Sequence, residues 1–299
     1  MGYKAIIDLG SLKAKLSVFE ACSGILVLQK IYLTLLGKRM GERDKIIAEA
    51  LQKLDDALGE IEKELGAMGE ASVFFIATES LRSAENKADV FNVVKKHFPG
   101  HEVTILNQDT EGGMFFKVVA THFKGVALTC MDIGGGSVQI LHGHFDHSRG
   151  EHVISEKHLH STGTYRLQQK YSPQNDVISI DFHKAVDEVR NEFRNLNVMN
   201  DVMVFGSTCM QDFLKETGIP LQYDRPIPKH DFYVKKEDLR LLLEEIRKYP
   251  PNRRDHFYPS GGHFIHGADY LLVNLLEALE RTRSKYIYPT NLNSSYGFI

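Results

Sequence analysis

Two stretches of the chain share one pattern: an apolar strand, an aspartate, an apolar residue, a glycine, a short turn and a second strand. They are KAIIDLGSLKAKLSV, which begins at residue 4, and LTCMDIGGGSVQILH, which begins at residue 128. Asp8 and Asp132 occupy equivalent places in the two stretches. Such self-similarity predicts a chain built from two related halves. The alternative is that any two hairpins with glycine turns look alike.

The remaining pattern alternates strands with helices, which predicts an α/β architecture. Apolar residues that recur every three or four positions between 47 and 65 predict a helix with one apolar face. That face could pack inside the chain or form the seam of a homodimer. Further helices are predicted over 86–97, 111–122, 163–171, 177–195, 208–215, 236–248 and 264–281, and strands over 72–79, 102–106 and 201–207.

Composition excludes several classes of protein. The chain has 299 residues and no apolar run of ~20 residues that could span a membrane. Its net charge of −3 gives no electrostatic argument for nucleic-acid binding. The first residues run directly into a strand, so no secretory signal is visible. Three scattered cysteines suit neither a disulfide framework nor a zinc site, and we therefore expect a cytoplasmic protein.

The glycines after Asp132 predict a phosphate site. Consecutive glycines let backbone N–H groups converge on one concave space, which favours an anion. Gly134, Gly135 and Gly136 would supply those amides, and Ser137 would add a hydroxyl. Asp132 would repel phosphate, so its expected role is to anchor Mg²⁺. The alternative is a tight hairpin that needs glycine only for its turn.

The turn after Asp8 is a weaker version of the same pattern. Gly10 and Ser11 could form a second phosphate loop, with Asp8 as its metal anchor. Lys13 and Lys15 could supply positive charge to it. Equally, these two lysines could alternate on the wet face of a strand.

Six segments in order resemble the exopolyphosphatase and guanosine pentaphosphate phosphohydrolase (Ppx/GppA) family, a branch of the actin-like ATPase superfamily. The segments are DLGS at 8–11, ATESLRSAEN at 77–86, ILNQDTEGG at 105–113, DIGGGS at 132–137, GTYRL at 163–167 and GST at 206–208. Each segment alone is modest evidence. Their shared order and spacing are specific.

The resemblance implies a fold of two ribonuclease-H-like domains with an interdomain cleft. The first domain would cover 1–124 and the second 125–299, with the last residues a candidate to pack back onto the first. The implied activity is hydrolysis of terminal phosphoanhydride bonds, in inorganic polyphosphate or in guanosine penta- or tetraphosphate, with Mg²⁺ as cofactor.

The resemblance also implies roles for particular residues. It places the catalytic carboxylate at Glu111, whose other interpretation is a first-turn acid that favours the helix dipole. It places a phosphate-binding arginine at Arg82, although a surface arginine near a helix end would look the same. Arg166 could bind phosphate or form a salt bridge. Thr208 could line the site or cap a helix.

Histidines crowd the segment 142–160, and His142 and His144 have a spacing that metal sites use. No firm third ligand accompanies them, so a solvated strand pair is the better interpretation.

Several positions depart from the family pattern. Leu12 and Lys13 replace asparagine and serine, Thr110 replaces an acid, Gly113 an arginine, Gln139 a glutamate and Asn291 an aspartate. Each exchange removes or alters a charge or a hydrogen-bonding group. Together the exchanges put the metal affinity and the rate of hydrolysis in doubt. A phosphatase, a binding or regulatory module that lost turnover, and a kinase or ATPase of the superfamily therefore all remain open.

Overall fold

The computed structural model describes residues 2–40, 43–123, 125–198, 202–206, 209–224 and 232–299. The chain divides into two compact units. Unit 1 comprises Met1–Glu111 with Ser295–Ile299, and unit 2 comprises Gly112–Ser294. This division precedes the boundary expected near residue 124, because the helix that contains Gly112 packs its later turns against the sheet of unit 2.

Among its described residues, unit 1 contains a five-stranded sheet, a two-stranded ribbon and three helices. Its elements are β1 Tyr3–Leu9, β2 Lys13–Glu20, β3 Leu26–Leu33, β4 Arg39–Met40, β5 Arg43–Ile46, α1 Ala48–Met68, β6 Ala71–Ala77, α2 Glu79–Ser83, α3 Lys87–His97 and β7 Val103–Ile105. Helix α4, Gln108–Ala120, starts in unit 1 and continues into unit 2.

The apolar stripe predicted for 47–65 lies inside unit 1. Leu54, Leu58, Ile61 and Leu65 of α1 are buried in one core with the inward face of β1 and β2. The opposite face of the sheet receives the end of the chain, where the ring of Tyr296 stands edge-on to Phe19 at 5.1 Å. Intramolecular packing therefore accounts for the stripe.

Unit 2 contains a six-stranded sheet. Its elements are β8 Leu128–Ile133, β9 Val138–Asp146, β10 Glu151–His160, α5 Thr164–Tyr171, α6 Phe182–Glu192, β11 Met203–Gly206, α7 Met210–Glu216, β12 Val234–Lys235, α8 Lys236–Ile246, α9 Ala268–Arg281 and β13 Tyr286–Thr290. Short 3₁₀ turns, among them Pro259–Gly267 before α9, complete it.

The two sheets have the same strand order and directions. Unit 1 runs β3-β2-β1-β6-β7 and unit 2 runs β10-β9-β8-β11-β13, with β12 added at the edge. In each, three antiparallel strands are followed by two strands parallel to the first. This matching topology supports the duplication suggested by the repeated hairpin.

Some element boundaries differ from the sequence predictions. Helix α4 begins three residues before position 111, because the side chain of Asn107 accepts a hydrogen bond from the backbone N–H of Thr110 at 2.8 Å and caps the helix there. The helix predicted from 264 is 3₁₀ as far as Gly267. Strand β10 pairs with β9 and is the second member of the solvated strand pair expected around the histidines of 142–160. Across the described ranges, no helix has both the length and the apolar character that a bilayer crossing needs.

A buried ion pair stabilises the start of α9. The guanidinium of Arg254 meets both carboxylate oxygens of Asp269 at 2.9 Å, and the two side chains are 2% and 4% exposed. Arg254 also donates to the backbone carbonyls of Tyr249 and His266. Protein groups of unit 2 therefore neutralise the guanidinium charge and accept its hydrogen bonds.

We expect Asp269→Asn to lower the free energy of unfolding of unit 2 by about 3 kcal/mol, because it leaves the guanidinium buried without its counter-charge. Urea denaturation followed by circular dichroism measures the loss. The matched control is Asp181→Asn, which removes an exposed partner of Lys184 and should cost less than about 1 kcal/mol. Equal losses in the two variants would contradict the role given to the buried pair.

Candidate functional site

The first predicted phosphate turn joins β1 to β2. The backbone N–H of Gly10 donates to the carbonyl of Lys13 at 3.0 Å and closes the turn. A side chain at Gly10 would place its Cβ 3.0 Å from that same carbonyl oxygen. Glycine is therefore favoured here by close backbone approach, and its φ is not left-handed.

Two carbonyls of this turn point towards the segment 34–37. The carbonyl of Ser11 accepts from Gly37 N–H, and the carbonyl of Leu12 accepts from two N–H groups of that segment. In a trans peptide the N–H points opposite to its carbonyl. The N–H groups of Leu12 and Lys13 are therefore turned away from 34–37, towards one common side.

Lys15 lies buried beside Asp8. The two residues are cross-strand partners, and Lys15 Nζ is 3.2 Å from Asp8 Oδ2, with side-chain exposures of 5% and 17%. The wet-face interpretation is therefore wrong for Lys15, whereas Lys13 is half-buried. The other oxygen, Asp8 Oδ1, is buried and has no hydrogen-bond donor.

The second turn repeats this closure in unit 2. The N–H of Gly134 donates to the carbonyl of Ser137 at 2.9 Å. The carbonyls of Gly134 and Gly135 accept from the backbone N–H groups of Thr164 and Arg166, at 3.0 and 2.9 Å. The N–H groups of the peptides that follow these carbonyls are therefore turned away from α5.

Gly163 makes this packing possible. A Cβ at Gly163 would lie 2.3 to 2.5 Å from backbone atoms of Gly136 and Ser137, a distance that side chains essentially never show. The resemblance had marked the segment 163–167 only as a motif. The structure shows that its glycine leaves room for the backbone of the second glycine turn.

Gln139 holds the hydroxyl of Ser137. Its amide donates to Ser137 Oγ at 2.9 Å, and both side chains are buried. A side chain at Gly112 would collide with Gln139 and Leu141, so α4 packs directly onto this part of β9. The amide that replaces the family's glutamate thus has a structural partner in this chain.

Asp132 is half-buried at the end of β8, with Gln139 as its cross-strand partner. Asp8 and Lys15 hold the same register in unit 1. Burial, and then the charge of Asp132, raise the pKa of the nearby Cys130 thiol, which therefore stays protonated and unreactive.

Glu111 and Arg82 form an ion pair within unit 1. Arg82 Nη1 lies 2.9 Å from Glu111 Oε2 and also donates to the carbonyl of Leu106 at 2.7 Å. Arg82 Nη2 lies 3.4 Å from Glu79 Oε2. The three charged side chains are only 11% to 17% exposed. Arg82 therefore shares its charge between two carboxylates, and its role as a phosphate ligand stays a prediction.

The other predicted residues are placed as follows. Thr208 lies outside the described residues. The side chain of Asn291 accepts from Gln211 N–H and donates to Asp212, so it holds the start of α7. Gly113 faces open space. Within the described ranges no three histidine, cysteine or acidic side chains gather as a metal cluster. The histidines of 142–160 lie on the β9–β10 pair, except His147, which lies in the turn that joins the two strands.

Two site residues were missed or misjudged from sequence. Glu79 precedes Arg82 by three residues on α2, a spacing that brings side chains together on a helix. Lys15 follows the closing turn at the position that must face Asp8 once Gly10 pairs with Lys13. Both spacings can be seen in the sequence, but their meaning depends on where α2 begins and on the register of the β1–β2 hairpin.

A model of the Ppx/GppA phosphatase family matches residues 20–259. Among solved structures, the Aquifex aeolicus member of the Ppx/GppA protein family is 18% identical, with a TM-score of 0.73 over 99% of this chain and 95% of that chain. An exopolyphosphatase from Cytophaga hutchinsonii is 15% identical, with a TM-score of 0.77 over 99% and 96%. An exopolyphosphatase-like protein is 16% identical, with a TM-score of 0.81 over 99% and 96%. These TM-scores show a shared fold at low sequence identity. The predicted two-domain α/β fold class is confirmed.

We expect Gly163→Ala to destabilise unit 2 by about 1–3 kcal/mol, because its Cβ has no space against the turn backbone. The measurement is urea denaturation of both variants in parallel. Gly113→Ala is the matched control: it adds the same methyl group to the interior of α4 where nothing lies within 4 Å, and should raise stability by up to about 1 kcal/mol. The packing argument fails if the two variants unfold alike.

Proposed function

Because the chain belongs to the Ppx/GppA phosphatase family, we propose that it hydrolyses terminal phosphoanhydride bonds of inorganic polyphosphate or of guanosine penta- or tetraphosphate. The observation that carries this proposal is the repeated turn, closed by Gly10 in unit 1 and by Gly134 in unit 2, with backbone amides directed to one side. A buried carboxylate, Glu111, accompanies the first turn in the same unit.

The turns supply phosphate binding. Backbone amides beyond Ser11 and beyond Gly134 are donors whose directions are set by the carbonyls of the same turns. Such donors bind phosphate oxygens at no cost in side-chain entropy. The Ser137 hydroxyl and the Lys13 ammonium are further phosphate ligands in this proposal.

Glu111 supplies the proton acceptor. Hydrolysis requires a water oxygen to attack the terminal phosphorus while the bond to the bridging oxygen breaks. The carboxylate of Glu111 orients this water and takes its proton, and the bridging oxygen leaves with the shortened chain. Arg82 holds Glu111 in place through the 2.9 Å hydrogen bond, so we assign Arg82 as a positioning residue as well as a candidate phosphate ligand.

The aspartates beside the two turns suit a Mg²⁺ ion that takes few ligands from the protein. Asp8 retains a buried oxygen without a hydrogen-bond donor, which suits a hard cation or a water bound to it. We propose Asp8 in unit 1 and Asp132 in unit 2 each as a candidate carboxylate ligand of Mg²⁺, because Mg²⁺ commonly takes only one or two carboxylates beside waters and phosphate. When bound, it would neutralise charge on the phosphate oxygens.

The second candidate function is a binding module with weakened turnover. It is favoured by the ammonium of Lys15, which already pairs with Asp8 and competes with a cation there. Such a protein would still hold a phosphate chain on the same turns and release no product.

Phosphate release from polyphosphate and from guanosine pentaphosphate, each with Mg²⁺ or with EDTA, tests the proposal. We expect release with Mg²⁺, and a fall of kcat in Glu111→Gln by about 10²–10⁴-fold, because the proton acceptor is lost. Glu79→Gln is the matched control, since it removes the other carboxylate on the same arginine, and kcat should stay within about tenfold.

The two functions predict different results. Tight binding of polyphosphate without release in any metal would establish the binding module and overturn the enzyme. Equal losses in Glu79→Gln and Glu111→Gln would remove Glu111 from its assigned role.

A further inference from the structure

A cavity of about 480 Å³ lies at the edge of the sheet in unit 2, where β12 leads into α8. Three lysines and two tyrosines dominate its lining, which consists of Tyr233, Lys235, Lys236, Glu237, Lys285 and Tyr286. The volume lies in the range of small-molecule sites. Lysines and aromatic rings around one concave space are chemically suited to an anion.

Two carboxylates close to these lysines, Glu237 in the lining and Glu280 beside Lys236, already have basic partners. Glu237 accepts from Arg240 through both of its oxygens, at 3.0 and 2.8 Å. Glu280 accepts from Lys236 at 3.0 Å. In the part of the chain that the structure describes, Lys235 and Lys285 form no ion pair, and both are exposed. Positive charge at this cavity therefore exceeds negative charge.

The position of these lysines adds to the excess. Lys235 is the N-cap and Lys236 the first residue of α8, where the backbone carries partial positive charge that Glu237 and Asp238 of the first turn offset only in part. The backbone N–H of Lys236 is bonded to the carbonyl of Lys285, which draws the third lysine to the same place. An anion bound here would relieve repulsion that the fold otherwise retains.

The cavity is separate from the phosphate turn of unit 2. Strands β8, β11 and β13 are parallel, and Gly206 pairs with both Asp132 and Thr290 at their carboxyl ends. The cavity lies at the other end of β13, beside Tyr286. Thr290 is four positions further along the strand than Tyr286, which corresponds to ~13 Å. One orthophosphate group cannot reach both places.

We propose that this cavity is a second anion site, which binds a small molecule carrying a chain of phosphate groups. Lys235 and Lys285 contact the phosphate oxygens, and Lys236 contributes while retaining Glu280. Ammonium groups on flexible stems suit this ligand, because they follow phosphate oxygens in several geometries. The phosphate chain can come from inorganic polyphosphate or from a nucleotide. The site does not depend on hydrolysis at the turns.

Lysine labelling read by mass spectrometry tests the site residue by residue. The intact protein is acetylated in EDTA, alone and with inorganic tripolyphosphate, GDP or guanosine. With nine tenths of the sites occupied by tripolyphosphate or GDP, the labelling rates of Lys235 and Lys285 should fall about tenfold. Lys184 and Lys248, exposed lysines of the same unit, are internal controls whose rates should not change.

Each result decides the proposal. Protection by tripolyphosphate identifies the phosphate chain as sufficient, and protection by GDP alone identifies a nucleotide; both support the site. Unchanged labelling of Lys235 and Lys285 with every ligand overturns it, as does equal protection by guanosine, which carries no phosphate.

A variant gives the second measurement. Glu111→Gln keeps the phosphate chain intact under the proposed function and serves as the background for calorimetry. Adding Lys235→Gln and Lys285→Gln together should remove one binding event. Adding Lys184→Gln and Lys248→Gln together should remove none. An unchanged stoichiometry would contradict the site even if phosphate release is confirmed. Loss of the event would support the site even if no release is found.

Discussion

The hydrogen bond that closes each hairpin turn is the constraint on which the rest of the site depends. Gly10 N–H bonded to Lys13, and Gly134 N–H bonded to Ser137, set the register of the strands that follow. That register places a residue seven positions after each aspartate directly opposite to it. Neighbouring segments hold particular carbonyls of these turns, and the amides that follow those carbonyls are therefore turned away from the same segments.

The two halves use the same turn with different chemistry. In unit 1 the residue opposite the aspartate is Lys15, whose ammonium meets Asp8. In unit 2 it is Gln139, which holds a serine hydroxyl instead. A duplicated fold can therefore place a charge in one half and a neutral hydrogen-bonding group in the other without altering the backbone. The two turns therefore differ in the group that stands opposite the aspartate, an ammonium in unit 1 and an amide in unit 2.

The cluster of Glu79, Arg82 and Glu111 shows why a family arginine is not automatically a phosphate ligand. Arg82 bonds to a backbone carbonyl and two carboxylates, all of them largely buried. A guanidinium with these partners is held rigidly, and so is the carboxylate that it contacts. Its clearest structural effect is to fix Glu111 at the start of α4.

Periodicity and turn residues in the sequence determined the α/β class, the two glycine turns and the apolar stripe of α1, because these features follow from local spacing; only the structure showed that the stripe packs inside unit 1. Only the tertiary structure decided that Lys15 is buried on Asp8, that Gly163 leaves room for the glycine turn and that Gln139 donates to the hydroxyl of Ser137. Each of these depends on residues that are distant in the chain or on the exact register between strands. A change of one residue in register reverses the face of a side chain, so burial and partners at these positions are set by the folded structure.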